Sequence, residues 1–429
     1  MATFSPQMAG APGALPVARP AGALVIITIL FFMWGLLTSL NDVLIPHLKA
    51  VYALSYVQAM LVQFCFFGAY FVVSIPAGAL IRRIGYQHGA VAGLAIAACG
   101  CALFYPAASG GYGSFLLAFF ILAAGITVLQ VAANPYVTVL GDAATASSRL
   151  TLTQAFNSLG TTVAPVVGGM LILSGAVLSA PELARLPAAA QLAYRAHEAQ
   201  AVQGPYLALA AALMALAVLF AFARLPKIAQ AGAAAAPRVP LLAQRRLILG
   251  ALGIFLYVGA EVSIGSFLIN FLGEARIAGL NAAAAAPLVG YYWGGAMLGR
   301  FIGFAVMRRV SPGRALAFNA ACSIALILCA VLDGGRLAVW AILAVGLCNS
   351  IMFPTIFSMA LHKLGAATGQ GSGLLCMAIV GGALLPFAQG WVADRAGVQL
   401  SFLVPAACYL YILFFGLRHA GMYRADAAS

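Results

Sequence analysis

Charge is what this sequence has least of. Asp, Glu, Lys and Arg make up 7% of the 429 residues, against 64% hydrophobic residues and a mean hydropathy of +1.03. So little polar surface cannot wrap a water-soluble core, and the apolar runs reach about 20 residues, the length needed to cross a bilayer. The eight cysteines fall inside apolar stretches, with neither the paired spacing of a metal site nor a loop framework for disulfides, and are expected to be packing residues. The N-terminal stretch has no basic region leading into a short apolar core and cleavage site, so residues 1–21 are expected to be a retained cytoplasmic tail. Gly369-Gln-Gly-Ser-Gly373 follows no strand and lacks the Lys-Ser/Thr ending of a phosphate loop, which excludes nucleotide binding there.

What is present is a series of apolar spans. Periodicity and turn signals place twelve of them near residues 22–47, 57–80, 88–108, 114–140, 150–178, 203–224, 246–273, 284–308, 314–333, 337–361, 366–393 and 398–419. The expected fold class is therefore an all-α membrane protein: an N-terminal six-helix bundle (22–224), an Ala/Pro/basic cytoplasmic linker (225–245), a C-terminal six-helix bundle (246–419) and a cytoplasmic tail (420–429). The net charge of +13 points to orientation rather than to nucleic acid. Most Lys and Arg residues, Arg82, Arg83, Arg149, Arg245, Arg246, Arg308 and Arg309 among them, fall on the side that also carries both termini, which the positive-inside rule makes cytoplasmic. The halves also resemble each other. Gly68 through Arg82-Arg83 aligns with Gly294 through Arg308-Arg309, and Gln130 with Asn134-Pro135 aligns with Asn349 and Phe353-Pro354. Parallel repeats of this kind imply two bodies rocking about a site near the bilayer midplane.

Polar groups in apolar spans are the candidates for function. The first span carries Trp34, Thr38, Asn41 and Ile45 on one face with Asp42 beside it, and a carboxylate there costs about 2.5 to 3.5 kcal/mol on insertion scales. The seventh span holds a second acid, Glu261, with Tyr257 one turn before it, Asn270 further on, and Gly259 and Gly265 opening its surface. Thr127, Gln130 and Asn134 share a face of the fourth span, as Gln154, Asn157 and Thr161 do on the fifth; amides that both donate and accept suit a polyhydroxylated solute. Arg300 is expected to have a structural or gating role, and Gly-x-x-x-Gly spacings around it at Gly290/Gly294, Gly295/Gly299 and Gly299/Gly303 fit close helix packing.

Leu40-Asn-Asp-Val-Leu-Ile-Pro46, Leu129-Gln-Val-Ala-Ala-Asn-Pro-Tyr136, Phe156-Asn-Ser-Leu-Gly160, Tyr257-Val-Gly-Ala-Glu261 and Pro354-Thr-Ile-Phe-Ser358 resemble the fucose permease and glucose/galactose transporter family of the major facilitator superfamily. The resemblance runs from about Phe31 to Trp391 and implies a twelve-helix sugar symporter in which Asp42 couples and binds. Two departures stand out: Gln130 occupies the place of a second acid in fucose permease, and Glu261 the place of an amide, which makes the sequence similar to the glucose/galactose and N-acetylglucosamine branch. Arg82 also stands where the superfamily loop usually has an Asp.

The expected function is cation-coupled uptake of a monosaccharide, glucose- or galactose-like, by a monomer in a bacterial inner membrane. Asn41, Gln130, Asn134, Gln154, Asn157 and Asn349 are the expected sugar ligands, with Thr38 and Asn270 nearby and Trp34, Tyr257 or Trp293 as the stacking aromatic. Asp42 and then Glu261 are the candidate coupling acids. No cofactor, metal or nucleic acid is expected. A proton is preferred to sodium, because one acid that trades one proton needs no second acid, whereas sodium wants several oxygens around it. Fucose or N-acetylglucosamine as substrate, and sodium as coupling ion, stay open. So do a sugar sensor on the same fold and a membrane-embedded enzyme, although the longest external loop, with Glu182, His197 and Glu198, holds no catalytic motif.

Overall fold

The computed structural model describes residues 20–51, 56–171, 185–187, 189–191, 193–194, 203–223, 225–226 and 240–422, and in the first helix the side chains of 22–36 and 39. Inside a bilayer no water can satisfy backbone N–H and C=O groups, so apolar stretches of this length close their hydrogen bonds within helices. The helices are α1 (Pro20–Val51), α2 (Tyr56–Gly110), α3 (Tyr112–Val139), α4 (Ala146–Leu171) and α5 (Gln203–Phe222), followed by α6 (Arg245–Gly273), α7 (Ala282–Val306) and α8 (Pro312–Leu332). The last three spans are each interrupted: α9 (Gly335–Asn349) and α10 (Met352–Leu361), α11 (Thr368–Met377) and α12 (Gly381–Ala396), then α13 (Val398–Ser401) and α14 (Leu403–Arg418).

Each of the twelve expected spans has its helical counterpart. The second and third run on as α2, divided at Gly85, whose φ of 84° is open to glycine and strained for other residues. Among the described residues, eight helices are long and apolar enough to cross a membrane, with the two spans of α2 counted together as Phe64–Ala107.

The chain direction alternates from span to span, so Arg82, Arg83, Arg149, Arg246, Arg308, Arg309 and Arg418 gather at one end of the bundle, called here the basic end. Arg246 donates to the His362 carbonyl and Arg149 to the carbonyls of Thr138 and Asp142, so these cations also fasten span ends. Helices within a half pack through small residues. A side chain at Gly35 of α1 would strike the Asn157 carbonyl of α4, and one at Gly160 the backbone of Phe32. In α7 the same applies to Gly295, Gly299 and Gly303 against Leu347, Ser350 and Ile351, while Gly290 and Gly294 face open space.

The two halves touch along a seam near the basic end. Ser147 Oγ and Ser358 Oγ are 2.6 Å apart, Ser148 donates to the Phe304 carbonyl at 2.7 Å, and Ser372 donates to the Val131 carbonyl at 2.9 Å. Gly78 of α2 lies against Gly369 and Gly373 of α11, and a Cβ on Gly373 would come within 2.6 Å of the Ser74 carbonyl. The glycine run that resembles a phosphate loop is thus a surface for helix approach.

Candidate functional site

The amide face of the N-terminal half is assembled by α3 and α4. Gln130 and Asn134 are one turn apart on α3 and both buried, as is Gln154 of α4, whose Nε2 donates to Asn134 Oδ1 over a long 3.4 Å. That bond assigns the Asn134 amide and leaves Nδ2 without an acceptor; Gln130 Oε1 has no donor either. An unmade hydrogen bond on a buried polar atom costs about 1–3 kcal/mol, so this face keeps hydrogen-bonding capacity that the described residues leave unused. Asn157, half-buried, donates to the Phe31 carbonyl at 2.9 Å, which fixes α4 against α1. The Trp34 indole is itself buried, 5.3 Å centroid to centroid from Phe31. The expectations for Thr38, Asn41 and Asp42 lie outside the described side chains.

In the C-terminal half, α6, α7, α9 and α14 enclose a second polar cluster. Tyr409 donates to Asn349 Oδ1 at 2.6 Å, Asn349 Nδ2 donates to the Tyr292 hydroxyl at 2.7 Å, and Tyr292 donates to the Glu261 carbonyl at 3.3 Å. Tyr257 donates to the Asn349 carbonyl at 3.0 Å. Beside this chain, Glu261 Oε1 is 3.9 Å from Arg300 Nη2 and accepts no hydrogen bond.

These partners alter three of the expected roles. Asn349, expected as a sugar ligand, is fully buried with its carboxamide oxygen and its amide nitrogen each bonded, so it is the hub of a protein network. Tyr257, expected as a stacking aromatic, is fully buried with its hydroxyl bound to backbone, which leaves no ring face for a ligand. Asn270 lies far along α6 and on another face from Glu261, because nine residues at 100° each amount to half a turn beyond whole turns. There it lines a cavity of about 370 Å³ with Ser266, Phe64, Phe67 and Phe387. Trp293 is 43% exposed, with its ring over Gly265, so that glycine opens the helix to an indole.

Tyr292 and Tyr409 are the members that sequence reasoning missed. A signal for Tyr292 existed: it shares a stripe, at spacings of three and four, with Gly295, Gly299 and Gly303, the face that packs on the tenth span. No local signal marks Tyr409.

Two like-oriented helical halves, joined along a small-residue seam and each holding buried polar atoms without partners, define a polytopic membrane protein of the two-body class. A family model described as Major Facilitator Superfamily matches residues 26–384. The chain is 58% identical over 398 residues to a glucose/galactose transporter of Brucella abortus, covering 92% of this chain and 93% of that one. It is 36% identical over 400 residues to the L-fucose-proton symporter of Escherichia coli, covering 90% of each. The crystal structure of a Major Facilitator Superfamily transporter, FucP, in the outward conformation matches with a TM-score of 0.85 at 34% identity, over 92% of this chain and 97% of that one. The chain belongs to the Major Facilitator Superfamily, and the relatives named here are transporters rather than enzymes.

Proposed function

We propose that this protein takes up a monosaccharide, glucose- or galactose-like, by proton-coupled symport across a bacterial inner membrane, with its basic end in the cytoplasm. The observation that carries this reading is the buried pair on α3, Gln130 Oε1 and Asn134 Nδ2, whose hydrogen-bonding capacity no described residue uses. A sugar hydroxyl donates and accepts at once, so neighbouring hydroxyls can satisfy both atoms, whereas an aliphatic solute satisfies neither. Glu261 Oε1 offers a further open acceptor in the other half. The names of the relatives support the same substrate class. The gathering of Arg side chains at one end supports the orientation.

In this reading Gln130, Asn134, Gln154 and Asn157 bind the sugar and Asp42 is the first candidate for the coupling acid. Inward movement of one cation is worth about 2.3 kcal/mol per 100 mV, enough to accumulate sugar roughly fifty-fold.

The test is uptake of labelled glucose, galactose, fucose and N-acetylglucosamine into vesicles. Glucose or galactose should accumulate in sodium-free buffer under an imposed inward proton gradient and stop doing so with a protonophore. A requirement for sodium would reassign the coupling ion. Binding without accumulation would make the protein a sensor, and indifference to all four sugars would remove the substrate class. Asp42→Asn should abolish accumulation while exchange of sugar persists.

A further inference from the structure

The tenth span is interrupted in its hydrogen-bond ladder, although its backbone stays right-handed throughout. α9 stops at Asn349 and α10 starts at Met352, with Ser350 and Ile351 between them. Pro354 explains the position of the interruption: it has no N–H, so the Ser350 carbonyl, four residues earlier, loses its helical donor. In apolar surroundings that carbonyl needs another donor. Arg300 of α7 supplies it through Nε at 3.2 Å. The adjacent Asn349 carbonyl takes the Tyr257 hydroxyl.

The Arg300 donor also faces Glu261. The other arm of the Arg300 fork, Nη2, is 3.9 Å from Glu261 Oε1, an ion-pair distance too long for a hydrogen bond. Tyr257 stands one turn before Glu261 on α6, but its one hydroxyl proton is committed to the Asn349 carbonyl. A single guanidinium therefore holds the orphaned carbonyl of the interrupted span with one nitrogen and is drawn toward the acid by another. A planar fork can do this, and a single ammonium cannot.

We infer that Arg300 is a positioning residue that ties the state of Glu261 to the interrupted turn at 349–351. A ligand hydroxyl donating to Glu261 Oε1, or loss of the carboxylate charge, weakens the pull on Arg300. The guanidinium then settles differently on the Ser350 carbonyl, and the turn follows. The physiological meaning of this coupling rests on Glu261 lying in the sugar path; the coupling itself does not.

Hydrogen exchange measured by mass spectrometry on the full-length protein in lipid nanodiscs tests it, read on a peptide covering 347–356. Glu261→Gln without any sugar should change exchange there by roughly two- to tenfold, the range expected for one net hydrogen bond. Arg300→Lys should change it as well, and Glu261→Gln should add nothing in that background. Pro354→Ala returns the missing N–H to the Ser350 carbonyl, so it should also abolish the response to Glu261→Gln; this variant serves if Arg300→Lys does not fold. An unchanged peptide in Glu261→Gln, or additive effects of the two substitutions, would overturn the inference. Glucose or galactose should shift the peptide in the wild type and fail to shift it in Arg300→Lys, even where the sugar still binds. If the wild type handles no sugar, the proposed function fails while the Glu261→Gln comparison still decides the coupling.

Discussion

The fourth and tenth spans carry a proline at corresponding places and treat it differently. In α3, Pro135 leaves the Val131 carbonyl without a helical donor, yet the helix continues unbroken to Val139. The replacement donor is Ser372, from α11 of the other half. In the tenth span, Pro354 frees the Ser350 carbonyl, the hydrogen-bond ladder is interrupted at 350–351, and the replacement is Arg300 from the same half. The first arrangement makes a helix defect part of the seam, so separating the halves near the basic end strips a carbonyl of its partner. The second keeps the repair inside one body, where it survives any rocking of that body. One backbone fault serves as a contact between bodies in one place and as an internal joint in the other.

The largest effect is expected from blocking the seam itself. Gly373→Val places a side chain against the Ser74 carbonyl and the Gly78 backbone. Overpacking of this kind costs about 1–3 kcal/mol, which should shift the balance away from the closed basic end by roughly five- to hundredfold. Spin labels at Arg83 and Arg309, one exposed position on each half, should report a longer distance, and uptake should fall in parallel. An unchanged distance would mean that the seam is not held by close approach of α2 and α11.

Next comes Ser372→Ala, which orphans the Val131 carbonyl only while the seam is closed. The expected bias toward an open basic end is about 1–2 kcal/mol on the same distance measurement. Adding Pro135→Ala, which restores an N–H to that carbonyl, should reduce the penalty to about 0.5 kcal/mol or less. A penalty that persists would show that the proline is not what makes Ser372 matter.

Tyr409→Phe removes the donor to Asn349 Oδ1, a bond inside one half. It should lower thermal stability by about 1 kcal/mol and leave the distance between the labels unchanged. A changed distance would mean that the C-terminal half does not move as one body. The smallest effect belongs to Ser147→Ala. Its partner Ser358 still donates to the Thr355 carbonyl, so a shift of about 0.5 kcal/mol or less is expected in the same distance distribution.

Much of this arrangement is legible in the sequence. The spans, the repeat, the unusual acid at Glu261 and the amide faces of the fourth and fifth spans stand out because polar residues are scarce in an apolar chain. The environment of each polar residue is harder to read. In Tyr291-Tyr292-Trp293 three aromatics follow one another at 100° steps, and they end 59%, 0% and 43% exposed. The indole looks best suited to a sugar, but the buried ring is the middle one, because it shares a face with the glycines that admit the tenth span. The Gly369–Gly373 run is equally visible in sequence, and its use as a seam depends on Gly78 lying opposite.

The sequence by itself determined that this chain crosses a membrane in helices, because the backbone in an apolar medium can satisfy its hydrogen bonds only locally, with partners four residues away. Composition and periodicity report that requirement directly. Only the tertiary structure decided which polar groups are already spoken for and which remain open. Ser372 reaches the Val131 carbonyl across 241 residues of chain and Tyr409 reaches Asn349 across 60, so their pairing is set by which spans lie side by side. Asn349 and Gln130 look alike as buried amides in matching spans, yet two tyrosines from other helices occupy the first and leave the second with an acceptor to fill.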